Sequence, residues 1–166
     1  MKHINQFITE YIIKKKLDTP INSEITNYLY HPETKSELSK IIQNLLKDNQ
    51  TDLNVIDVSK ITNMSDLFSQ INENKKITNI DISDWDVSNV TNMENMFFDC
   101  RKFNCNLSKW NVSNVTTMES MFSNCENFTG DGLENWDVSN IETTNMSDMF
   151  DNCKSLKKPS WYNGNT

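Results

Sequence analysis

The stretch WDVSNVTNMENMF, residues 85–97, occurs twice more along the chain with few changes. The later copies are WNVSNVTTMESMF, which begins at Trp110, and WDVSNIETTNMSDMF, which begins at Trp136. A weaker copy, IDVSKITNMSDLF, begins at Ile56. A catalytic site is rarely needed three times at even spacing, whereas a period of about 20–50 residues is typical of proteins that stack one structural unit repeatedly. The sequence therefore predicts an array of about four repeats.

Each copy carries the same apolar residues in register. A valine follows the tryptophan, then come two methionines, a phenylalanine and a closing cysteine. These are Val87, Met93, Met96, Phe97 and Cys100 in the first copy, Val112, Met118, Met121, Phe122 and Cys125 in the second, and Val138, Met146, Met149, Phe150 and Cys153 in the third. We expect these residues and the tryptophans to face inward and to hold neighbouring units together.

The spacing inside a copy predicts a short helix after a short strand. Residues 93–100 place apolar side chains at i, i+3, i+4 and i+7, which is one face of a helix. Thr91 with Glu94, and Thr116 with Glu119, have the spacing of a capping box that begins such a helix. Elements this short are not stable alone in water, so they must stack on their neighbours.

The strand is predicted just before the helix, around the tryptophan. Trp110 and Val112 lie two residues apart and would share the buried face of a strand. Lys109, Asn111 and Ser113 would then point outward. Each repeat is therefore predicted to be a strand, a turn, a short helix and a return segment.

The pattern W-D-V-S-N-V-T-N-M-x-x-M-F-x-x-C-x-x-F resembles the BspA-like leucine-rich-repeat family, over about residues 53–162. That family is widespread among bacterial surface lipoproteins and also includes proteins without a secretion signal. The resemblance implies an α/β solenoid, a right-handed stack of about four strand-turn-helix repeats, over residues 51–166. It also implies binding and not catalysis.

Residues 1–50 are predicted to form an α-helical cap at the N-terminal end of the array. Apolar residues at helical spacing predict helices over residues 4–12 and 21–30, and a third from Thr34, capped with Glu37, to Leu46. Such a cap would cover the apolar face of the first repeat. A separate helical domain that binds a partner is the alternative.

The charge of the chain argues against several classes of partner. The net charge is −7, and residues 51–166 hold seventeen acidic and nine basic residues. A field of that sign repels phosphate backbones, so direct nucleic-acid binding is not expected. The sequence contains no apolar run of about 18 residues, so no membrane span is expected. The N-terminus lacks the pattern of a signal peptide. We expect a cytoplasmic protein that is a monomer when free.

Neither a metal site nor an active site is expected. The four cysteines, at positions 100, 105, 125 and 153, do not form a C-x₂-C pair and are expected to be reduced core residues. Both histidines lie outside the repeats, and no nucleophile or phosphate-binding motif is present. The nearest acid–base candidates are Asp84 and Asp86. We expect no cofactor and no enzymatic activity.

The outward side of the repeats is the candidate surface for a protein partner. The predicted partner-binding residues are Asp84, Asp86, Ser88, Lys109, Asn111, Ser113, Asn135, Asp137 and Ser139. The loop that contains Gly130 and Gly132 is a second candidate contact. For both regions, the alternative is that they are exposed to solvent and bind no partner.

These observations favour a non-enzymatic protein–protein interaction module. The small size and acidic charge suit an inhibitor of a nucleic-acid-handling complex, for example one encoded by a mobile element against a host nuclease. The alternative is a bacterial surface adhesin or structural repeat protein, which the resemblance suggests.

Overall fold

The computed structural model describes residues 28–71 and 77–163. In these residues one α-helix, α1 (Lys35–Lys47), precedes a succession of tight turns that includes two 3₁₀ segments, Leu133–Asn135 and Thr143–Met146. The predicted helix over residues 4–12, and all but the last three residues of that over 21–30, lie outside the described residues.

Each repeat forms one circuit of the chain, here called a coil, and successive coils are joined by hydrogen bonds. Coil 1 comprises residues 51–71, coil 2 residues 80–104, coil 3 residues 105–129 and coil 4 residues 130–157. Equivalent threonines join three of them, because the N–H of Thr91 donates to the oxygen of Thr62 and the N–H of Thr116 to that of Thr91, both at 2.8 Å. A right-handed α/β solenoid stays a prediction.

Parallel pairing between coils occurs without continuous strands. The described residues contain four isolated parallel bridges, Tyr30–Ile56, Asp52–Asp81, Asn63–Asn92 and Asn92–Thr117. The predicted strand around Trp110 is a turn instead, since the N–H of Trp110 donates to the oxygen of Leu107 at 3.1 Å. The alternation of buried Trp110 and Val112 with outward polar residues is nevertheless as predicted.

The short helix predicted for each repeat is a series of turns. In residues 93–100, for example, the N–H of Cys100 donates to the oxygen of Phe97, three residues back. Asn95 and Asp99 have φ values of 53° and 56°. This left-handed conformation breaks an α-helix, and asparagine and aspartate tolerate it better than most residues do. The apolar spacing thus predicted which side chains are buried but not the backbone that buries them.

The left-handed residues recur in register. One column contains Asp66, Asn95, Ser120 and Asp148, and a second contains Asp99, Asn124 and Asn152. Because the same positions take the same conformation, successive coils have backbones of matching shape. Their peptide groups can therefore pair all along residues 93–99 and their equivalents.

The hydrogen bonds along this stretch all point in one direction. In coil 2 the N–H groups of Met93, Asn95, Phe97 and Asp99 donate to the oxygens of Thr117, Glu119, Met121 and Ser123 in coil 3. The equivalent bonds join coil 1 to coil 2 and coil 3 to coil 4, with N···O distances of 2.8–3.0 Å throughout. In a β-ladder the two strands exchange bonds in both directions. Along residues 93–99 and their equivalents, by contrast, one edge of a coil offers donors and the other offers acceptors, and the bonds of Thr91 and Thr116 in the opposite direction lie just before this stretch.

The threonines of the predicted capping boxes have a different role. The hydroxyl of Thr91 donates to the oxygen of Thr62 at 3.2 Å, and that of Thr116 to the oxygen of Thr91 at 3.0 Å. The N–H of Glu94 donates instead to the side chain of Asn92. These hydroxyls therefore join coils and do not begin helices.

Tryptophans form a buried ladder through the coils. Trp85, Trp110 and Trp136 are 2%, 4% and 5% exposed, which confirms the predicted inward orientation. Each indole N–H donates to a carbonyl of the preceding coil: Trp85 to Leu53 at 2.9 Å, Trp110 to Ile82 at 3.0 Å and Trp136 to Leu107 at 3.3 Å. Each ring therefore buries a large apolar surface while its polar group stays satisfied.

A second aromatic column runs beside the tryptophans. The rings of Phe68, Phe97, Phe122 and Phe150 stack with centroid distances of 5.0, 5.4 and 5.8 Å. Full burial of each such side chain contributes about 1.5–3 kcal/mol. The phenylalanines therefore hold the coils together at the same positions as the backbone bonds.

Helix α1 begins where the sequence predicts. The hydroxyl of Thr34 accepts a hydrogen bond from the N–H of Glu37 at 3.2 Å, as an N-cap does. The apolar face of the helix, Leu38, Ile42 and Leu46, is buried in the same core as the repeats. This helix therefore covers the start of the array.

One lysine of α1 replaces a donor that a preceding coil would supply. The Nζ of Lys35 donates to the oxygen of Ser65 at 3.0 Å. In coils 2 and 3 the equivalent oxygens, of Glu94 and Glu119, accept from the backbone of the coil before. On coil 1, the edge of backbone oxygens that includes Ser65, here called the acceptor edge, therefore contacts the ammonium group of Lys35.

The left-handed conformation can be tested at Asn95. We expect Asn95→Val to lower the free energy of unfolding by about 1–2 kcal/mol, because a β-branched residue is strained at positive φ. Asn95→Gly, which adopts this φ without strain, should lie much closer to wild type. Urea unfolding followed by tryptophan fluorescence measures both. Equal destabilisation by the two substitutions would show that the side chain of Asn95, and not its backbone, matters.

Candidate functional site

The predicted partner-binding residues lie together on one side of coils 2 to 4, here called the polar face. Asp84, Asp86, Lys109, Asn111, Asn135, Asp137 and Ser139 are exposed, and Ser88 and Ser113 are half-buried. The face is built of turns and not of strands. Its shape is therefore set by local hydrogen bonds, most of which involve the predicted residues themselves.

The acidic and amide side chains of the polar face close turns. The Oδ1 atoms of Asp86, Asn111 and Asp137 each accept from the N–H of the serine two residues later, Ser88, Ser113 and Ser139, at 3.1 Å. This is an Asx turn, which aspartate and asparagine form equally because both offer the same oxygen. Asp86, Asn111 and Asp137 therefore also have a structural role, which the sequence analysis did not assign.

A column of asparagines joins successive coils at the polar face, and the sequence analysis did not predict this role. The Nδ2 groups of Asn89, Asn114 and Asn140 donate to the oxygens of Ser59, Ser88 and Ser113 in the preceding coil. The signal was present, since an asparagine follows Val-Ser in all three tryptophan repeats. The column fixes the positions of the coils relative to each other at the polar face.

Asp84 and Lys109 form an ion pair across coils 2 and 3. The hydrogen bond and the charge of Asp84 raise the pKa of Lys109. Both side chains are more than half exposed, so the pair contributes little to stability. Asp84 and Asp86, the acid–base candidates, are therefore each engaged, one with Lys109 and the other with the backbone of Ser88.

Further carboxylates extend the acidic character toward coil 1. The backbone N–H and the hydroxyl of Ser83 lower the pKa of Asp81. For Asp57, burial raises the pKa, but hydrogen bonds from Ser59 and His31 together leave it lowered. Both carboxylates are therefore held in the ionised form at neutral pH.

The glycine loop, the second candidate contact, has a packing role. Gly132 has a φ of 93°, and a Cβ placed there would lie 2.3 Å from the nitrogen of Ser108. Gly130 also has positive φ, at 79°. The loop therefore uses glycine to bring coil 4 close to coil 3, and its part in partner binding stays a prediction.

Cys100, Cys125 and Cys153 form a column of thiols, of which Cys100 and Cys125 are buried and Cys153 is half-buried. The Sγ of Cys125 donates to the oxygen of Phe97, and that of Cys153 to the oxygen of Phe122, both at 3.0 Å. Burial raises the pKa of Cys100 to about 12, and the charge of Asp99 adds to this. In the described part of the chain no three His, Cys, Asp or Glu side chains are placed to hold a metal ion.

Comparison with known proteins identifies the family but no individual relative. Residues 36–162 match the family described as "Mycoplasma protein of unknown function, DUF285". This covers most of the 166 residues, so the chain belongs to that family, which is related to BspA-like repeat proteins. Neither a curated protein nor a solved structure matches the chain. In residues 28–71 and 77–163, no helix is long and apolar enough to cross a membrane.

The Asx turns can be tested at Asp81, which accepts from both the N–H and the hydroxyl of Ser83. We expect Asp81→Ala to lower the free energy of unfolding by about 1 kcal/mol through the lost hydrogen bonds. Asp81→Asn should retain most of it, since Asn106 closes the same turn in coil 3. Thermal and urea unfolding at pH 7 compare the two. A loss as large for asparagine as for alanine would assign the effect to charge.

The same residue gives a pH dependence. Because the folded state lowers the pKa of Asp81, its carboxylate stabilises the fold above the unfolded-state pKa of about 4. That contribution is lost as the pH falls through the lower, folded-state pKa. The stability difference between wild type and Asp81→Ala should therefore shrink on acidification. A difference that stays constant from neutral to acid pH would contradict the ionised Asx turn.

The buried thiols should be unreactive while the protein is folded. With a pKa of about 12, only about one Cys100 thiol in ten thousand is ionised at pH 8, and the side chain is fully buried. In a variant that carries Cys105→Ser and Cys153→Ser, we expect Ellman's reagent to label Cys100 and Cys125 only as urea unfolds the protein. Rapid labelling of either thiol in the native state would contradict their placement in the core.

Proposed function

We propose that the protein is a non-enzymatic interaction module that binds a basic protein partner through the polar face. In this proposal the repeats form a BspA-like leucine-rich-repeat solenoid, and the protein acts in the cytoplasm without a cofactor. The observation that carries the proposal is the polar face itself, where the side chains of Asp86, Asn111 and Asp137 recur in register on an exposed surface and are held by hydrogen bonds.

Rigidity supports binding through this face. Asp86, Asn111 and Asp137 have their side chains fixed by Asx turns, and the asparagine column fixes the coils beneath them. A partner that contacts already ordered groups loses less conformational entropy on binding. The face is therefore better suited to recognition than a set of freely rotating surface side chains.

Charge supports a basic partner. Asp84 and Asp86 in coil 2 and Asp137 in coil 4 are exposed carboxylates of the polar face, and residues 51–166 carry a net surplus of eight acidic residues. Such a field attracts a positively charged protein surface and speeds its association. Surfaces that handle nucleic acids are of this kind, which is why an inhibitor of such a complex, encoded by a mobile element, is the specific form of the proposal.

The relation of the family to BspA-like repeat proteins favours one alternative, a bacterial surface adhesin or structural repeat protein. Cell fractionation separates the two, because the adhesin belongs in the envelope fraction and the interaction module in the soluble one. Recovery of the native protein in the envelope fraction would overturn the cytoplasmic proposal.

The polar face is tested by removing its charge without removing its turns. The triple variant Asp84→Asn, Asp86→Asn and Asp137→Asn keeps an Oδ1 acceptor at each position. Partners recovered from host lysate by affinity purification and identified by mass spectrometry are then purified. We expect their affinity for the triple variant to fall at least tenfold, mainly through slower association, with a weaker dependence on salt.

A matched variant controls for net charge. Glu119→Gln, Glu142→Gln and Asp151→Asn remove the same three charges from exposed positions outside the polar face. This variant should bind the partner nearly as well as wild type. Equal losses in the two variants would show that overall charge, and not the polar face, determines binding, and unchanged binding by both would exclude the face.

A further inference from the structure

Coil 4 has an edge of backbone donors that no other coil within residues 28–71 and 77–163 covers. Its members are the N–H groups of Asp148, Phe150 and Asn152, here called the donor edge. They are equivalent to the N–H groups of Ser120, Phe122 and Asn124, each of which donates to coil 4. Within residues 28–71 and 77–163, no backbone oxygen accepts from these three donors. The N–H of Met146 is not one of them, since it belongs to the 3₁₀ segment Thr143–Met146.

Side chains beside the donor edge are also less covered than their equivalents. Met146, Val138 and Cys153 are half-buried. The matching residues of coils 2 and 3, which are Met93 and Met118, Val87 and Val112, and Cys100 and Cys125, are at most 1% exposed. The difference marks the apolar surface that one further coil would bury.

Part of this end is already closed by residues after coil 4. The indole N–H of Trp161 donates to the oxygen of Leu133 at 2.7 Å, and the ring of Tyr162 meets that of Phe150 edge-on at 4.8 Å. These two rings extend the aromatic columns. What stays open is the stretch 145–153, which combines the donor edge with the half-buried Met146 and Cys153.

A second copy of this chain does not fit the donor edge. Its own acceptor edge, on coil 1, is occupied by α1, whose Lys35 donates to the oxygen of Ser65. Two copies placed tail to tail would bring one row of donors against another, which leaves both rows without acceptors. Buried donors without acceptors are costly.

We propose that the donor edge docks a coil of the same repeat type from a different protein, one whose acceptor edge is open. The established contacts between coils define the fit. The incoming segment runs parallel to residues 145–153, every second carbonyl accepts from the donor edge, and its apolar residues cover Met146 and Cys153.

A synthetic peptide tests the docking on the intact protein. The peptide has the sequence of residues 113–128 with serine in place of Cys125, and a scrambled peptide of the same composition is the control. In hydrogen exchange followed by NMR, we expect the repeat peptide to slow exchange at Asp148, Phe150 and Asn152 at least tenfold. No protection at these amides, protection elsewhere only, or equal protection by the scrambled peptide overturns the proposal.

Substitutions provide a second measurement. Met146→Glu places a charge on the open apolar surface and should weaken the peptide at least tenfold in fluorescence anisotropy. Phe98→Ser is the control, because Phe98 is 41% exposed on the outside of coil 2 and serine stands at that position in coils 1 and 3. It should leave peptide binding unchanged. Equal binding by Met146→Glu and wild type, both folded by circular dichroism, overturns the proposal.

Two further measurements test whether the donor edge binds a second copy of this chain and whether the peptide binds the polar face instead. Sedimentation should show a monomer at all concentrations, and a dimer that Met146→Glu abolishes would show instead that the edge binds a second copy. The triple asparagine variant of the polar face should bind the peptide as wild type does. Loss of peptide binding in that variant would place the contact on the polar face and overturn docking at the donor edge.

Discussion

The structure depends on backbone hydrogen bonds between coils, which along residues 93–99 and their equivalents run in one direction, from each coil to the next. The coils contain almost no helix or strand of their own, so the peptide groups of one coil are satisfied by tight turns within that coil and by bonds to its neighbours. This is possible because residues such as Asn95 and Asp99 turn the amides to one edge and the carbonyls to the other. The two ends of the array consequently differ in polarity, and the acceptor end meets the ammonium group of Lys35.

The sequence predicted the repeats, their inward residues and the third helix, because burial leaves a periodic apolar pattern. It did not predict the backbone. The spacing of Met93, Met96, Phe97 and Cys100 suits one face of a helix, yet the same side chains reach the core from consecutive turns. What decides between the two is the asparagine or aspartate at positive φ, and apolar periodicity carries no information about φ.

The exposure of the candidate surface was predicted, but its hydrogen-bonded turns were not. Residues such as Asp86 and Asp137 are exposed, as outward positions in a repeat should be. Their hydrogen bonds to backbone two residues later were missed, because the recurring D-V-S and N-V-S were interpreted as a strand and not as an Asx turn. The role of Asn114 was missed for another reason, since its acceptor belongs to a coil 26 residues away.

The Asx turns allow the structural role of aspartate to be compared with that of asparagine at equivalent positions. Asp86 and Asn111 occupy equivalent positions and accept the same hydrogen bond at the same distance, so either residue type closes this turn. Asp81 differs from the equivalent Asn106, because its carboxylate also accepts from the hydroxyl of Ser83 and its pKa is lowered by these bonds. At Asp86 the Asx turn therefore does not account for aspartate in preference to asparagine. In the proposed function, the carboxylate at such a position serves to attract a positively charged partner.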